Sequence, residues 1–501
     1  MWFLPLLAIL IPGVGAALIY SIQEERFWLR GTIALGTVLI NFLLVLRMFY
    51  FAGAGDFMEM VFFNLAGADF LLRVDYLSLV FALLCGFLWI FSIGYSIGYM
   101  EDHPNNRRFF TFYVLNLGVA CGIAFAGNLF TLFIFYKLLT LSTFPLVAHS
   151  ETEMARRATR IYIYYSVASG ALLLYTVVVL QSLYNLGRVD TLTFTPAGFL
   201  STLPVGEGLL IAFVIGFLGF AVKAALIPLH HWLPQAMVAL APVSALFHAV
   251  AVVNTGVFGI MRLVYYVYGP QWITVAQIQM YLVALAIITI IAGSLRALME
   301  EELKLRLAYS TVSQMGYLAL GTVLLLPTAF TGALLHFFNH AFLKITLFFC
   351  AGIIIGVTGK TKISELSGVG RKYSRTMGAF SIAALGLIGL PPISGYLIKL
   401  YLIRAGLQLD TIFETILIIS VVFISALLNA FYYLPIIIQA FWGKEEFQEG
   451  EPFKKEKPLL VVPALILALA CVALGIFPFY LTLPLAELVV ESIWQGLLTV
   501  R

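Results

Sequence analysis

Apolar runs of about 20 residues, the length a helix needs to cross a bilayer core, recur along nearly the whole chain. Their pattern predicts about fourteen transmembrane helices, at 3–21, 28–50, 74–98, 108–126, 128–148, 161–186, 207–229, 240–266, 275–298, 304–326, 328–356, 377–402, 411–442 and 457–479. The polar connections are too short to fold alone, so the chain reads as one all-α polytopic membrane domain, 1–501. Composition agrees, with 62% hydrophobic and 11% charged residues, against roughly 25% charged in a soluble domain. Met1 to Tyr20 has no Lys or Arg ahead of its apolar run and further spans follow at once, so it reads as a retained first helix and not a secretory signal.

Charge then orients these helices, because cytoplasmic loops hold the excess of Lys and Arg. Loops after odd-numbered segments carry Arg26 and Arg30, Arg107 and Arg108, Arg156, Arg157 and Arg160, and Arg296, Lys304 and Arg306. Later ones add Lys360, Lys362, Arg371, Lys372 and Arg375, then Lys444, Lys454, Lys455 and Lys457. Arg47, Arg73, Arg188, Arg262, Arg404 and Arg501 fall on or near the opposite side. Both termini are therefore expected outward, in a cell membrane. The acidic residues are expected in loops or near helix ends, as at Asp75, Glu207 and Glu414.

Cys85, Cys121, Cys350 and Cys471 are scattered in apolar segments without paired spacing, so neither a metal site nor an iron–sulfur cluster is signalled. No phosphate-binding glycine loop follows a strand-like segment. No cofactor and no nucleic-acid partner is expected, and energy for any work must come from elsewhere.

Four lysines remain, inside predicted helices: Lys137, Lys223, Lys344 and Lys399. A lysine at the bilayer centre costs about 2.5–3.5 kcal/mol on insertion scales, so each is a candidate functional group. Burial disfavours the charged form of an amine, which suits a lysine to gain and lose a proton.

Around Lys223, in FAVKAALIPLHHWLPQAM, Pro228 and Pro234 remove helix hydrogen bonds beside His230 and His231. In GLIGLPPISGYLIKL, Pro391, Pro392 and Gly395 disturb the twelfth helix before Lys399. Interrupted helices at membrane depth survive only where protein or water covers the freed backbone, and one such break in each half points to an ion site. In LLHFFNHAFLKITL, His336, His340 and Lys344 are spaced by four. They share a helix face and climb about 12 Å, a stripe that can pass a proton stepwise. His248 lies alone in the apolar SALFHAVAV, where a packing role is the other reading.

These segments resemble the antiporter-like subunit family: the M and N subunits of respiratory complex I, the D-type subunit of Mrp sodium/proton antiporters, and the H-type subunit of archaeal membrane-bound hydrogenase and sulfane-sulfur reductase complexes. The most specific pieces are KAALIPLHHWLP, HFFNHAFLKITLFFCAG and GLPPISGYLIKL. The resemblance implies two inverted five-helix repeats around a hydrated axis, with helices 7 and 12 broken. On that scheme 1–100 holds helices 1–3, 108–266 the first repeat, 275–442 the second, and 457–501 helix 14 and the C-terminus. It makes Lys223 the central seventh-helix lysine, His248 the eighth-helix relay residue, His336 and His340 the eleventh-helix pair, and Lys399 the terminal residue. Two departures stand out: Lys137 occupies the place of a glutamate that pairs with the seventh-helix lysine, and Gln235 and Met237 replace an aspartate and a histidine.

The expected function is a proton-translocating subunit of a redox-driven respiratory complex, most closely the archaeal hydrogenase or sulfane-sulfur reductase type. An Mrp-type sodium/proton subunit and a diverged structural subunit are the alternatives. The implied partners are other membrane subunits, including further antiporter-like ones, and peripheral redox subunits with iron–sulfur clusters. Lipid, protons and, as a further candidate, sodium complete the set.

Overall fold

Caps and breakers decide where the apolar runs become helices. Asp75 accepts a hydrogen bond from the Ser78 amide while the Ser78 hydroxyl accepts one from the Asp75 amide, a reciprocal cap that starts one span. Asn128, Thr152 and Thr411 start others with a one-way cap, each accepting from the amide three residues on.

The computed structural model describes residues 3–53, 57–65, 67–444 and 455–499; Lys454 and Arg501 lie outside the described residues. The helices are, in order, α1 Leu4–Ser21, α2 Phe27–Gly53, α3 Tyr76–Met100, α4 Asn106–Ala124, α5 Leu129–Val147, α6 Glu153–Asn185, α7 Glu207–Lys223, α8 Trp232–Gln235, α9 Ala241–Leu246, α10 Val253–Arg262 and α11 Pro270–Val275. The second half continues with α12 Gln279–Met299, α13 Leu303–Val323, α14 Pro327–Thr358, α15 Val369–Lys372, α16 Ser374–Ile388, α17 Tyr396–Gly406, α18 Ile412–Trp442, α19 Pro458–Ile476, α20 Pro478–Leu481 and α21 Leu483–Thr499. A π-helical turn, Phe247–Ala251, joins α9 to α10, and a second one, Leu263–Tyr268, prolongs α10, so that Ala241–Tyr268 is one rod.

Among the described residues, ten helices are long and apolar enough to cross a membrane, counting that rod as one. The remaining expected spans correspond to α4 and α13, which carry more polar side chains, and to two interrupted segments, α7–α8 and α16–α17. The protein is thus an all-α polytopic membrane protein. The Ala241–Tyr268 rod is buried along its whole length and α14 nearly so. Helices α2, α6 and α18 instead turn exposed Leu, Ile, Val and Phe outward, as at Leu43, Val167 and Phe423.

Three elements depart from the sequence expectation. Strands β1 Glu59–Leu65 and β2 Ala68–Arg73 pair antiparallel, from Glu59 opposite Arg73 to Leu65 opposite Ala68. This hairpin is anchored on the start of α5, where the Leu71 amide donates to Thr131 Oγ1 at 2.9 Å. The segment after 479 is not a plain C-terminus but holds α21, and its Glu487 and Glu491 are acidic residues within a helix and not at its end. Pro234, expected to break a helix, sits inside the short α8, where a missing amide in the first turn costs nothing.

Candidate functional site

The first break begins at Lys223, the last residue of α7. Ala225 is left-handed, with φ 54°. Its amide bonds the Val222 carbonyl at 3.1 Å, and the Leu226 amide bonds the Ala221 carbonyl at 3.0 Å. That pair of bonds closes a helix end, and Pro228, without an amide, lies in the segment that follows. Neighbours cover the freed backbone: Trp232 Nε1 donates to the Val222 carbonyl at 2.6 Å and the Ile227 amide to Thr289 Oγ1 at 3.2 Å. Gly256 lets α10 press on the same place, since a Cβ there would overlap the Ala224 amide nitrogen.

Lys223 is buried and donates to the Tyr136 carbonyl of α5 at 2.6 Å, with its ammonium 3.7 Å from the Tyr136 ring centroid. Lys137 turns elsewhere. It is half-buried and donates to the Ser166 carbonyl of α6 at 3.2 Å, its stem lying over Gly170, where a Cβ would overlap it. Although the two lysines come from neighbouring helices, each ammonium has its own acceptor. His230 is half-buried with no protein partner at Nδ1, and His231 is exposed.

His248 lies in the π-helical turn of the central rod, stacked on Phe348 of α14 with ring centroids 4.6 Å apart. π-turns often mark functional positions in helices. Phe348 is one turn beyond Lys344, which lies within electrostatic reach of His248. Lys344 does not snorkel. It is buried and donates to the Leu307 carbonyl at 3.0 Å, to Ser310 Oγ and to Tyr433 Oη at 3.3 Å. His340 and His336 continue along the same face, ring centroids 5.7 Å apart, and the charge of Lys399 acts on His336 electrostatically.

The three buried histidines, His248, His336 and His340, have no protein hydrogen-bond partner at either ring nitrogen. A buried polar atom without a partner is costly, and such atoms are ordinarily satisfied by protein or ordered water. These rings are therefore the positions in the buried interior that call for a partner from outside the protein's own hydrogen-bonding groups.

The second break follows α16. Gly389 is left-handed, φ 96°, and its amide bonds the Gly386 carbonyl at 2.9 Å, while the Leu390 amide bonds that of Leu385 at 3.2 Å. Pro391 and Pro392 follow, and the stretch of turns is covered by α14 and α19: Asn339 Nδ2 donates to the Ser394 carbonyl at 2.9 Å and the Ser394 amide to that of Cys471 at 3.1 Å. Lys399, on the first turn of α17, reaches back across the break to the Leu387 carbonyl at 3.4 Å and to that of Ile388. A cation there complements the partial negative charge of a helix C-terminus.

The structure thus brings His248, Lys344, His340, His336 and Lys399 into one buried series, with Lys223 at the first break and Lys137 and His230 apart from it. Sequence reading missed the groups that hold these side chains. Tyr136 stands beside Lys137, and Ser310 lies in AYSTVSQ of α13, a hydroxyl-rich stretch whose polarity inside a membrane helix is the usable signal. Lys304, read as a loop cation, donates to the Met237 and Ala239 carbonyls at 2.7 and 2.6 Å. Arg262 and Asp75, read as separate end residues, form a two-pronged ion pair at 2.5 and 2.9 Å among Phe194, Phe258 and Tyr266.

Comparison with known proteins meets this geometry. Residues 126–426 match the family described as NADH:quinone oxidoreductase/Mrp antiporter, TM, and residues 63–110 match the NADH-ubiquinone oxidoreductase (complex I) chain 5 N-terminus. The N subunit of NADH-quinone oxidoreductase from Desulforudis audaxviator (strain MP104C) is 31% identical over 425 residues, 81% of this chain and 82% of that one. The A-type subunit of the Na(+)/H(+) antiporter from Alkalihalophilus pseudofirmus is 28% identical over 85% of this chain. The chain spans 55% of that antiporter protein's length and 63% of the L subunit of NADH-quinone oxidoreductase from Mycobacterium tuberculosis. In fold it is similar to a chain of the Mrp complex from Dietzia sp. DQ12-45-1b, with a TM-score of 0.84 at 21% identity. It is also similar to one of the membrane-bound sulfane sulfur reductase, an archaeal respiratory membrane complex, at 0.83 and 22%. Each match covers 98% of this chain and 97% of the other. The chain belongs to the NADH:quinone oxidoreductase/Mrp antiporter transmembrane family, as an antiporter-like membrane subunit.

Proposed function

We propose that this subunit conducts protons across the membrane along Lys223, His248, Lys344, His340, His336 and Lys399, inside a redox-driven complex of the archaeal hydrogenase or sulfane-sulfur reductase type. The observation that carries the reading is the row of buried histidines with unpartnered ring nitrogens between two lysine-bearing helix breaks. Imidazole accepts a proton on one nitrogen and releases it from the other, and water between such rings completes a relay. The lysines at the ends are held by backbone carbonyls and Lys344 between them by a carbonyl and two hydroxyls, and none of the three, among the described residues, by a carboxylate, so the charge of each depends on its proton alone.

Other membrane subunits, antiporter-like ones among them, would flank the chain, and peripheral iron–sulfur subunits would supply the driving reaction. The cation distribution supports a cell membrane location with both termini outward. The inverted five-helix repeats are carried by the matching pattern of the two breaks, each a helix closed by a left-handed residue before a proline-bearing stretch. A second reading, an Mrp-type sodium/proton subunit, is favoured by the equally strong fold likeness to an Mrp complex chain.

The test is proton and sodium flux in vesicles holding the whole complex. Lys223→Met and Lys399→Met are each expected to lower substrate-driven proton movement at least tenfold with assembly intact. Proton movement that depends on external sodium selects the Mrp-type reading, and unchanged flux in both variants would leave a purely structural subunit.

A further inference from the structure

Lys137 sits in an unusual place. It is the ninth of the 19 residues of α5, so about 12–15 Å of helix lies on either side, and the ammonium is near the middle of a hydrocarbon core about 30 Å thick. It is half-buried in the seam between α5 and α6. Around it the surface is apolar and open: Leu138 is 39%, Leu141 59%, Tyr164 69% and Val167 56% exposed. Leu138 and Leu141 also wall a groove of about 390 Å³ between α1, α4 and α5.

We infer that this α5–α6 face docks a transmembrane helix of a different membrane protein of the complex, which presents an Asp or Glu at mid-membrane depth to Lys137. The inference rests on the membrane-complex reading above and names the chemistry of one neighbour. Charge complementarity selects the occupant. One backbone carbonyl is the only hydrogen-bond acceptor of this ammonium among the described residues, and no carboxylate among them pairs with it. An open ammonium in hydrocarbon is costly, and a carboxylate is the group that offsets it. Lipid does not supply one, because headgroup phosphates lie about 15 Å away at the edge of the hydrocarbon core. A second copy of this chain does not either: among the described residues no Asp or Glu lies midway along any of the ten long apolar helices, Glu153 and Glu414 being in first turns and Glu487 and Glu491 lying on α21, which is not one of the ten. Gly170 supports the assignment, since its missing side chain makes the slot in which the lysine lies across α6.

The experiment places a photoreactive benzoyl-phenylalanine at position 141 in the full complex in native membranes, and reads the adduct by mass spectrometry. The expected result is a bond to another membrane protein, within two turns of an Asp or Glu in one of its transmembrane helices. Lys137→Glu should then lower adduct yield at least tenfold, Lys137→Arg should keep it, and Lys137→Glu combined with the partner's carboxylate changed to Lys should restore it. Adducts to lipid, to a second copy of this chain, or to a helix without a carboxylate overturn the inference. If Lys137→Glu does not accumulate, the adduct of the Lys137 chain still decides. Proton flux is measured separately, so docking and conduction fail independently.

Discussion

The two helix breaks solve one problem in opposite ways. Both α7 and α16 end on the same pair of backbone bonds around a left-handed residue, and both are followed by proline-bearing stretches that neighbouring helices cover. At the second break the lysine returns from the far side and caps the carbonyls of α16. At the first, the lysine is itself the end of α7 and leaves for α5, resting on the Tyr136 carbonyl and ring while Trp232 caps the helix. Lys399 therefore does structural work when charged, whereas Lys223 can lose its proton without uncapping a helix. The lesson is that a lysine near a broken helix has no fixed role: its acceptor decides whether charge and helix geometry are coupled.

The largest expected effect comes from removing the coupled lysine. Lys399→Met leaves the Ile388 carbonyl, and in part that of Leu387, without a partner; each unmet buried group costs about 1–3 kcal/mol. The purified complex should lose both flux and thermal stability. Lys223→Met should lose comparable flux with a smaller fall in melting temperature, because α7 keeps its Trp232 cap. Equal losses of stability in the two variants would erase the contrast.

The left-handed residues give a sharper pair. Gly389→Ala places a side chain at φ 96° with its Cβ 2.8 Å from Lys399 Nζ and Cδ, and should destabilise by about 1–2 kcal/mol from conformation alone, with flux reduced as Lys399 is displaced. Ala225→Gly does the reverse and should be neutral or stabilising by up to about 1 kcal/mol. Chemical or thermal unfolding of the two variants reads the difference. Smallest is Tyr136→Leu, which keeps the backbone acceptor of Lys223 and loses the ring, a contact of about 0.5–2 kcal/mol, with the hydroxyl's 3.5 Å hydrogen bond to the Gly219 carbonyl; flux should fall no more than a few-fold.

Much of this was legible in the sequence, because the membrane restricts it so severely. Apolar runs placed the spans, and an intramembrane lysine or a proline between apolar stretches has few bland explanations, so Lys223, Lys344, Lys399, Pro228, Pro391 and Pro392 stood out. What escaped was whatever is local to neither pattern. The hairpin 59–73 is too short to carry a spanning signal, and α21 is shorter and less apolar than the crossing helices. The acceptors of the lysines are mostly backbone carbonyls, which leave no trace in a sequence. The acceptor of Lys137 is of the same kind, a backbone carbonyl of α6.

The most direct test is proton flux by the intact complex carrying His340→Phe. Both ring nitrogens of His340 lack a protein hydrogen bond, so phenylalanine fills the space of the imidazole, breaks no protein contact made by those nitrogens and removes only the proton carrier. Relay along this stripe predicts at least a tenfold loss of flux with assembly and melting temperature nearly unchanged. Flux equal to that of the unaltered complex would contradict a proton path through the histidine row.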